Sequence, residues 1–310
     1  MIRKHTRRAA KAAFAISLGV AIVIGLVAAV VARPAHANST MGPTLIIGTK
    51  NFPEEFILGQ LYKQALQAKG FHVSYKENIG STELIQTSLT SGKINFYPEY
   101  TGVIVQDVFH KTSPKTAAAT YALAKRLEAG KGFSVLNPTP FYDTDVLAVT
   151  NKTAAKYGLK TISDLQKAGS FKLGGFPECK TRATCFLGYT KSYGLTKASF
   201  VPLAGISAYA ALDAGKVLAA DVFSTDPPLL KPSKYTVLTD PKHVTGFQNV
   251  APIVKASVAS ALGSKFTSTV NAVSSKLTLP AIIAMNKAVE VNKADPAVVA
   301  KAFLKANHLI

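Results

Sequence analysis

A chain of 310 residues exceeds one small domain and fits about two by the usual size range. Its 48% hydrophobic and 17% charged residues exclude intrinsic disorder, and two cysteines exclude both a disulfide scaffold and a multi-cysteine metal cluster. The formal charge of +19 points toward nucleic acid only until its placement is read: six of the 36 basic residues stand before residue 38, and the rest are dispersed rather than clustered with aromatic residues.

Residues 1–37 begin with Arg3, Lys4, Arg7, Arg8 and Lys11 and contain no acidic residue. An uncharged stretch, AAFAISLGVAIVIGLVAAVVA, follows, and then Ala35-His36-Ala37. A positive start, an apolar middle and an A-x-A site match an export signal cleaved before Asn38. The apolar stretch also has the length of a membrane span, so a retained anchor is the alternative. Both readings place the remaining chain outside the cytoplasm, in the periplasm or at the extracellular face of the membrane.

From residue 44, short apolar runs alternate with amphipathic stretches. Leu45–Gly48 reads as a buried strand, and Asn51-Phe52-Pro53-Glu54-Glu55 as a helix start, with proline in the first turn and two carboxylates at the positive end of the dipole. Ile57, Leu58, Leu61, Tyr62, Ala65 and Leu66 keep helical spacing up to a stop at Gly70. A strand through Phe71, Val73 and Tyr75 follows, then a helix from Gly80-Ser81-Thr82 to Gly92, and a strand at Ile94–Tyr97. The pattern resumes with strands at Val146–Val149, Phe171–Leu173, Phe200-Val201 and Asp221–Phe223. Between them come helices started by Ser163-Asp164, around 184–193 and around 207–214. Ala251–Val254 then precedes three helical segments, the last introduced by Asp295-Pro296. Such alternation predicts an α/β protein of two units with largely parallel sheets.

Enzyme constellations are missing from the sequence: it has no H-E-x-x-H, no G-x-S-x-G elbow, no P-loop and no G-x-G-x-x-G after a strand. No catalytic residue, metal or cofactor is expected. Three segments at strand–helix junctions stand out instead. Gly48-Thr49-Lys50-Asn51-Phe52 and Gly80-Ser81-Thr82-Glu83 bring a cation, two hydroxyls and free helix N–H groups to the carboxyl ends of strands, where open α/β sheets bind ligands. Phe96-Tyr97-Pro98-Glu99-Tyr100-Thr101-Gly102 reads as a turn dense in aromatics, able to show a ring face to a cation. Ordinary capping and loop plugging are the blander readings of these segments. Asp143 and Asp145, two apart, share a strand face and line a polar cleft or face solvent. Cys179 and Cys185 pair as a local disulfide in an exported protein, with a redox pair or metal site as the sharper alternative.

In order and spacing, the segments I47-G-T-K-N-F-P-E-E-F-I-L-G-Q-L, G80-S-T-E-L and Y97-P-E-Y-T-G resemble the osmoprotectant-binding proteins that feed ABC importers, the glycine betaine, carnitine and choline binders. So do Lys156–Leu159 with Thr161–Leu165, Phe223-Ser224-Thr225-Asp226 and the closing Asp295-Pro296 helix, and the likeness runs over about residues 44–310. It implies a type II periplasmic-binding-protein fold: two α/β lobes with a hinge and a ligand cleft between them. Lobe one would be residues 44–145 plus 247–310, and lobe two residues 146–246.

The resemblance also implies a site. Tyr100 looks like a cage ring for a quaternary ammonium and Lys50 like a polar anchor, with Ser81, Thr82, Thr101, Thr225 and Gln248 in the matching motifs. Arg182 lies in the loop where the family places a ligand-contacting arginine, and Phe223 stands where a cage tyrosine is frequent. The chain departs from the family at Asp145, where many relatives carry a cage tyrosine, and at Val103, which replaces a hydroxyl residue; an aromatic is also missing near Gln248, though Phe247 is adjacent. An acidic Asp145 facing a cation favours choline or another polar solute over glycine betaine. The implied partners are a small-molecule solute, a membrane permease and its ATPase, with the chain itself monomeric and no nucleic acid involved. Two alternatives use the same residues: a different polar zwitterion or amino acid as ligand, or a membrane-tethered surface protein without solute binding.

Overall fold

The alternation of apolar runs and amphipathic helices builds two five-stranded sheets in the computed structural model, which describes residues 42–204, 207–230 and 233–310. The expected signal or anchor segment lies outside the described residues, and among those described no helix is long and apolar enough to cross a membrane. The first sheet has the order β2 (Val73–Gly80), β1 (Leu45–Lys50), β3 (Phe96–Tyr100), β10 (Val250–Lys255), β4 (Phe133–Val135). The second has the order β7 (Ala198–Pro202), β6 (Phe171–Gly175), β8 (Ala219–Phe223), β5 (Asp145–Thr150), β9 (Tyr235–Leu238).

The sheets are mixed rather than largely parallel. β10 runs antiparallel to β3 and β4, and β5 antiparallel to β8 and β9. The reason is the path of the chain. It leaves the first sheet after β4 and returns to it at β10, so β5 and β10 each enter a sheet after a crossing and run against their neighbours. The two crossings, residues 136–144 and 239–249, touch at the bridge between Tyr142 and Asn249. The Asn249 side-chain amide also donates to the carbonyls of Thr139 and Phe141, each at 3.0 Å.

Helices cover both faces of each sheet. Leu45, Ile47 and Phe96 pack with Leu58 and Leu61 of the helix Pro53–Ala68 and with Phe266, Val270 and Leu304 of the C-terminal helices. The C-terminal helices thereby belong to the first sheet. Asp295 caps the last of them by accepting from Ala297 N at 2.7 Å and Val298 N at 3.2 Å. On the opposite face Ile85 and Leu89 of the helix Thr82–Thr90 meet Ile94, Tyr97 and Ala124. The second sheet is enclosed by Leu147, Leu173 and Tyr189 on one side and Ala148, Leu212 and Val222 on the other.

Several elements differ from the sequence reading. The strand expected at Ile94–Tyr97 continues through the aromatic segment expected as a turn, giving the fully buried strand β3, which runs into a short helical turn at Thr101–Val103. Proline within an apolar run normally marks an edge or a turn. Here Pro98 sits opposite Pro252 in register, so two missing N–H donors fall at one rung. The helix Ala117–Ala129, capped by Thr116 Oγ1 accepting from Ala119 N at 3.1 Å, and the strands β4 and β9 carried no sequence expectation.

Candidate functional site

All the parallel strands that matter end at one place. β1 ends in Lys50, β2 runs into Ser81 and Thr82, β3 ends in Tyr100, β6 leads to Phe176, and β8 ends in Phe223. The antiparallel strands begin there, β5 with Asp145 and β10 just after Gln248. The result is a cleft of about 610 Å³, mouth included, lined from both sheets. Lys50, Ser81, Thr82, Tyr100, Asp145, Arg182, Phe223 and Gln248 all line it, whereas Thr101 and Thr225 do not. Thr101 is buried on Phe247, donating to its carbonyl at 2.9 Å, and Thr225 donates to Glu54 Oε2 at 2.7 Å in a neighbouring chamber.

Four aromatic rings form a row across the cleft. Tyr100 lies 6.2 Å from Phe52, Phe52 stacks on Phe223 at 5.2 Å, and Phe223 stacks on Phe176 at 6.0 Å. Tyr100 and Phe52 come from the first sheet's side, Phe223 and Phe176 from the second. The rings are stacked side by side rather than arranged around one point. Tyr100 also presents its face to the Lys50 ammonium, 4.3 Å from the ring centroid.

Lys50 is 4% exposed and ion-paired with Glu99 Oε1 at 2.6 Å. Glu99 accepts from Tyr100 N at 2.7 Å and from Thr82 Oγ1 at 3.3 Å, so one buried carboxylate ties three strand ends together. The acidic pair at the helix start is buried instead of solvated at the dipole end. Glu54 accepts from the Tyr100 hydroxyl at 2.8 Å, Thr225 Oγ1 at 2.7 Å and Asn286 Nδ2 at 2.8 Å. Burial nevertheless raises its carboxyl above the usual range, against those hydrogen bonds and the Lys50 charge. Glu55 accepts from Lys50 N at 3.1 Å, and burial pushes it up to about 8. Desolvation outweighs the helix dipole here.

On the other wall, Asp145 is pushed up to about 6, first by burial and then by Asp107, with Arg182 and Lys50 pulling it down. Asp221 is raised well above the usual range by burial and by Asp145, and its Oδ1 has no hydrogen-bond partner. Asp143 is raised by burial and by Glu54 and Asp226, while accepting from Ser224 Oγ at 2.9 Å and Thr225 N at 3.0 Å. Arg182 reaches across the cleft to Glu83, with Nη2 3.1 Å from Oε2 and Nε 3.2 Å from Oε1. Burial opposes Glu83's charge, yet the guanidinium prevails and holds its carboxyl down at about 2. Ser81 Oγ donates to the same carboxylate at 2.5 Å, so its hydroxyl joins this bridge rather than capping the helix.

The Cys179–Cys185 disulfide closes the loop that presents Arg182. Its sulfurs lie within 4.8 Å of an Asp221 oxygen, but joined to each other they offer no thiolate to a metal. Two glycines make the geometry feasible. A Cβ on Gly102 would sit 2.5 Å from the Gln248 side chain, which accepts from Val103 N at 3.0 Å. A Cβ on Gly175 would press to 3.1 Å against Cys179 Sγ.

Phe52, Phe176 and Asp221 line the cleft without a binding role in the sequence reading, and Asp143 takes the cleft-lining alternative of the two given for the Asp143–Asp145 pair. Asp221 had a legible signal, a lone carboxylate inside the apolar strand Ala219–Phe223. Phe176 had none, because its place depends on where β6 ends relative to β8.

Comparisons with known proteins agree with this architecture. The family described as the substrate binding domain of ABC-type glycine betaine transport system matches residues 43–306. A glycine-betaine-binding protein of Pseudomonas aeruginosa is 30% identical over 88% of this chain and 91% of its own length. The glycine betaine-binding protein YehZ of Escherichia coli is 32% identical over 68% of this chain and 74% of its own. The crystal structure of a glycine betaine/carnitine/choline ABC transporter superposes with a TM-score of 0.68 at 21% identity, covering 86% of this chain and 99% of that one. At that identity the superposition speaks for the fold, the two-sheet type II arrangement.

Proposed function

The chain belongs to the family of substrate-binding domains of ABC-type glycine betaine transport systems, and from that premise we propose that its cleft takes a cationic quaternary ammonium solute of the choline class. It is a binding protein that passes a small molecule to a membrane permease and performs no reaction on it. The observation that carries the ligand class is the ring row flanked by Asp143, Asp145 and Asp221. A ring face contributes roughly 0.5–2 kcal/mol to a quaternary ammonium, and here the solute gains it by inserting between rings that stack on one another and by taking the Tyr100 face from Lys50. The cleft's two cations, buried Lys50 and half-buried Arg182, are already matched, Lys50 by Glu99 and Arg182 by Glu83. The three carboxyls left over ionise most readily beside a cation, which draws down the values that burial raises, and so favour a net positive solute over a zwitterion.

Residues 44–145 with 247–310, and residues 146–246, act as two lobes about the paired crossings. Closure is supported by the contacts across the cleft: Arg182 with Glu83, Thr184 Oγ1 with Asp107 Oδ2 at 2.6 Å, Thr225 with Glu54, and Phe52 on Phe223. A solute shifts the balance toward closure only by contacts it makes solely there. The closed monomer, exported by its N-terminal segment, then docks on a permease driven by a cytoplasmic ATPase. Calorimetric titration with choline, glycine betaine, carnitine, proline and ectoine tests this reading. Choline binding about tenfold or more tighter than glycine betaine is expected. The reverse order overturns the cationic preference, and no binding by either overturns the ligand class.

A further inference from the structure

Beside the ring row lies a second chamber of about 760 Å³, mouth included. It shares Phe52, Asp143, Phe176, Asp221 and Phe223 with the cleft, so the two spaces are neighbours along Asp143 and Asp221. Its own wall includes Leu203, Ala208, Tyr209, Asp226, Asn286 and Glu290.

The chamber's polar lining is one-sided. Glu54, Asp143, Asp221, Asp226 and Glu290 line it, and among the described residues no Lys, Arg or His does. Burial, with Asp226 and Glu54 close by, pushes Glu290 up to about 7 against the pull of Lys293. Asp226 is pushed up to about 6 by burial, despite accepting from Phe223 N at 3.2 Å and the Tyr209 hydroxyl at 2.9 Å. Most of its neutral donors are already committed, Tyr209 to Asp226 and both Thr225 and Asn286 Nδ2 to Glu54, the exposed Ser207 hydroxyl being the exception. Acceptors remain. Asn286 Oδ1 and Asp221 Oδ1, on side chains 1% and 4% exposed, have no hydrogen-bond partner.

A surface whose carboxyl and amide oxygens outnumber its neutral donors calls for a ligand that donates, and a cation placed there draws the raised carboxyls to their ionised, accepting form. A quaternary ammonium has no N–H and leaves such oxygens unpaired. An ammonium, guanidinium or protonated ring nitrogen pairs with them by charge-assisted hydrogen bonds. We propose that this chamber is a subsite for an N–H-bearing cationic group, so that the preferred solute carries a hydrogen-bond-donating positive end beyond its quaternary ammonium head. The proposal rests on the quaternary ammonium occupying the cleft described above. Leu203, Ala208 and Val222 supply apolar wall for a methylene spacer.

Calorimetry on the full-length protein with choline, (aminopentyl)trimethylammonium, its donor-free isostere hexyltrimethylammonium, and diaminopentane tests it. The aminopentyl probe should bind about tenfold or more tighter than the hexyl probe. That margin should shrink severalfold in Glu290→Gln and in Asn286→Leu, while choline affinity is unchanged in Glu290→Gln. Equal or tighter binding of the hexyl probe overturns the subsite, and so does a margin that survives both substitutions. Choline binding without any binding of the longer probes also overturns it, leaving the ligand class intact. If no quaternary ammonium binds, the ligand class falls and diaminopentane decides the chamber. Binding weakened by Glu290→Gln upholds the subsite, and absence of binding overturns it.

Discussion

The wall that the first sheet gives to the cleft meets its charge from within, with Lys50 on Glu99, the Tyr100 hydroxyl on Glu54, and Lys50 N on Glu55, although Glu55 Oε1 stays unpaired. The facing wall does not. Asp221 Oδ1 is unpaired, Asp145 is pushed up to about 6, and Arg182 finds its carboxylate, Glu83, on the opposite side. On the first wall Lys50, Glu54, Glu55 and Glu99 are buried; on the facing wall Asp221 is buried while Asp145 and Arg182 are half-buried. One wall is a preformed frame; the other has polar groups completed only by something reaching across the cleft, whether the opposite lobe or a solute. Buried charges that lack their own partners are costly in a frame but useful in a receptor, because the ligand's differential contacts are what shift the balance toward closure.

The largest expected effect breaks the frame. Lys50→Met leaves Glu99 buried and unpaired and should cost about 3–5 kcal/mol, seen as a fall in melting temperature that Glu99→Gln in the same chain largely restores. Full stability in Lys50→Met would mean that the pair does not hold this wall. Next, reducing Cys179–Cys185 frees the loop carrying Arg182 and should lower stability by about 2 kcal/mol without abolishing folding. Two free thiols by mass spectrometry in the protein purified without reductant would remove the disulfide from the account.

Tyr100→Ala should weaken quaternary ammonium binding about tenfold or more, or about 1.4 kcal/mol per decade. Tyr100→Phe keeps the ring and removes the bond to Glu54, so calorimetry on both variants separates ring from hydroxyl. Unchanged affinity in Tyr100→Ala takes this residue out of the site.

The smallest effect is set by pH. Asp145 and Asp226 sit at about 6, Glu128 and Glu290 at about 7, and Glu55 at about 8, all above the ordinary carboxylate range near 4. The folded chain therefore holds more protons than the unfolded chain between about pH 4 and 8, and stability without solute falls as pH rises through that window. Affinity for a cation moves the other way, strengthening a few-fold as Asp145 ionises through pH 6, and Asp145→Asn should flatten that dependence. Melting and titration series at several pH values measure both slopes, and slopes of the same sign would contradict the assignment.

Much of the frame was legible in local pattern. Apolar runs marked β1, β6, β8 and β10, Pro53 with two acidic residues marked the helix over Pro53–Ala68, and Asp295-Pro296 marked the last helix. An apolar run also marked the start of β3, but Pro98 hid its continuation to Tyr100, because a central strand with a proline contradicts the local rule unless its partner strand accommodates it, as Pro252 does. Motif resemblance picked eight residues that do meet in one cleft. It also picked Thr101 and Thr225, which sit one position beyond a lining residue or two beyond one and so fall behind the wall.

The sequence by itself determined the α/β class, the strand–helix junctions and the presence of Lys50, Tyr100, Asp145, Arg182 and Phe223 at or near them, since periodicity and turn chemistry act over a few residues. Tertiary structure alone decided that Lys50 pairs with Glu99, that Arg182 crosses to Glu83, that Phe52 and Phe176 extend the ring row, and that Asp221 and Asn286 keep unpartnered oxygens. These outcomes depend on ångström-scale distances between residues far apart in the chain, and burial sets their energies. Neither quantity is written in local spacing.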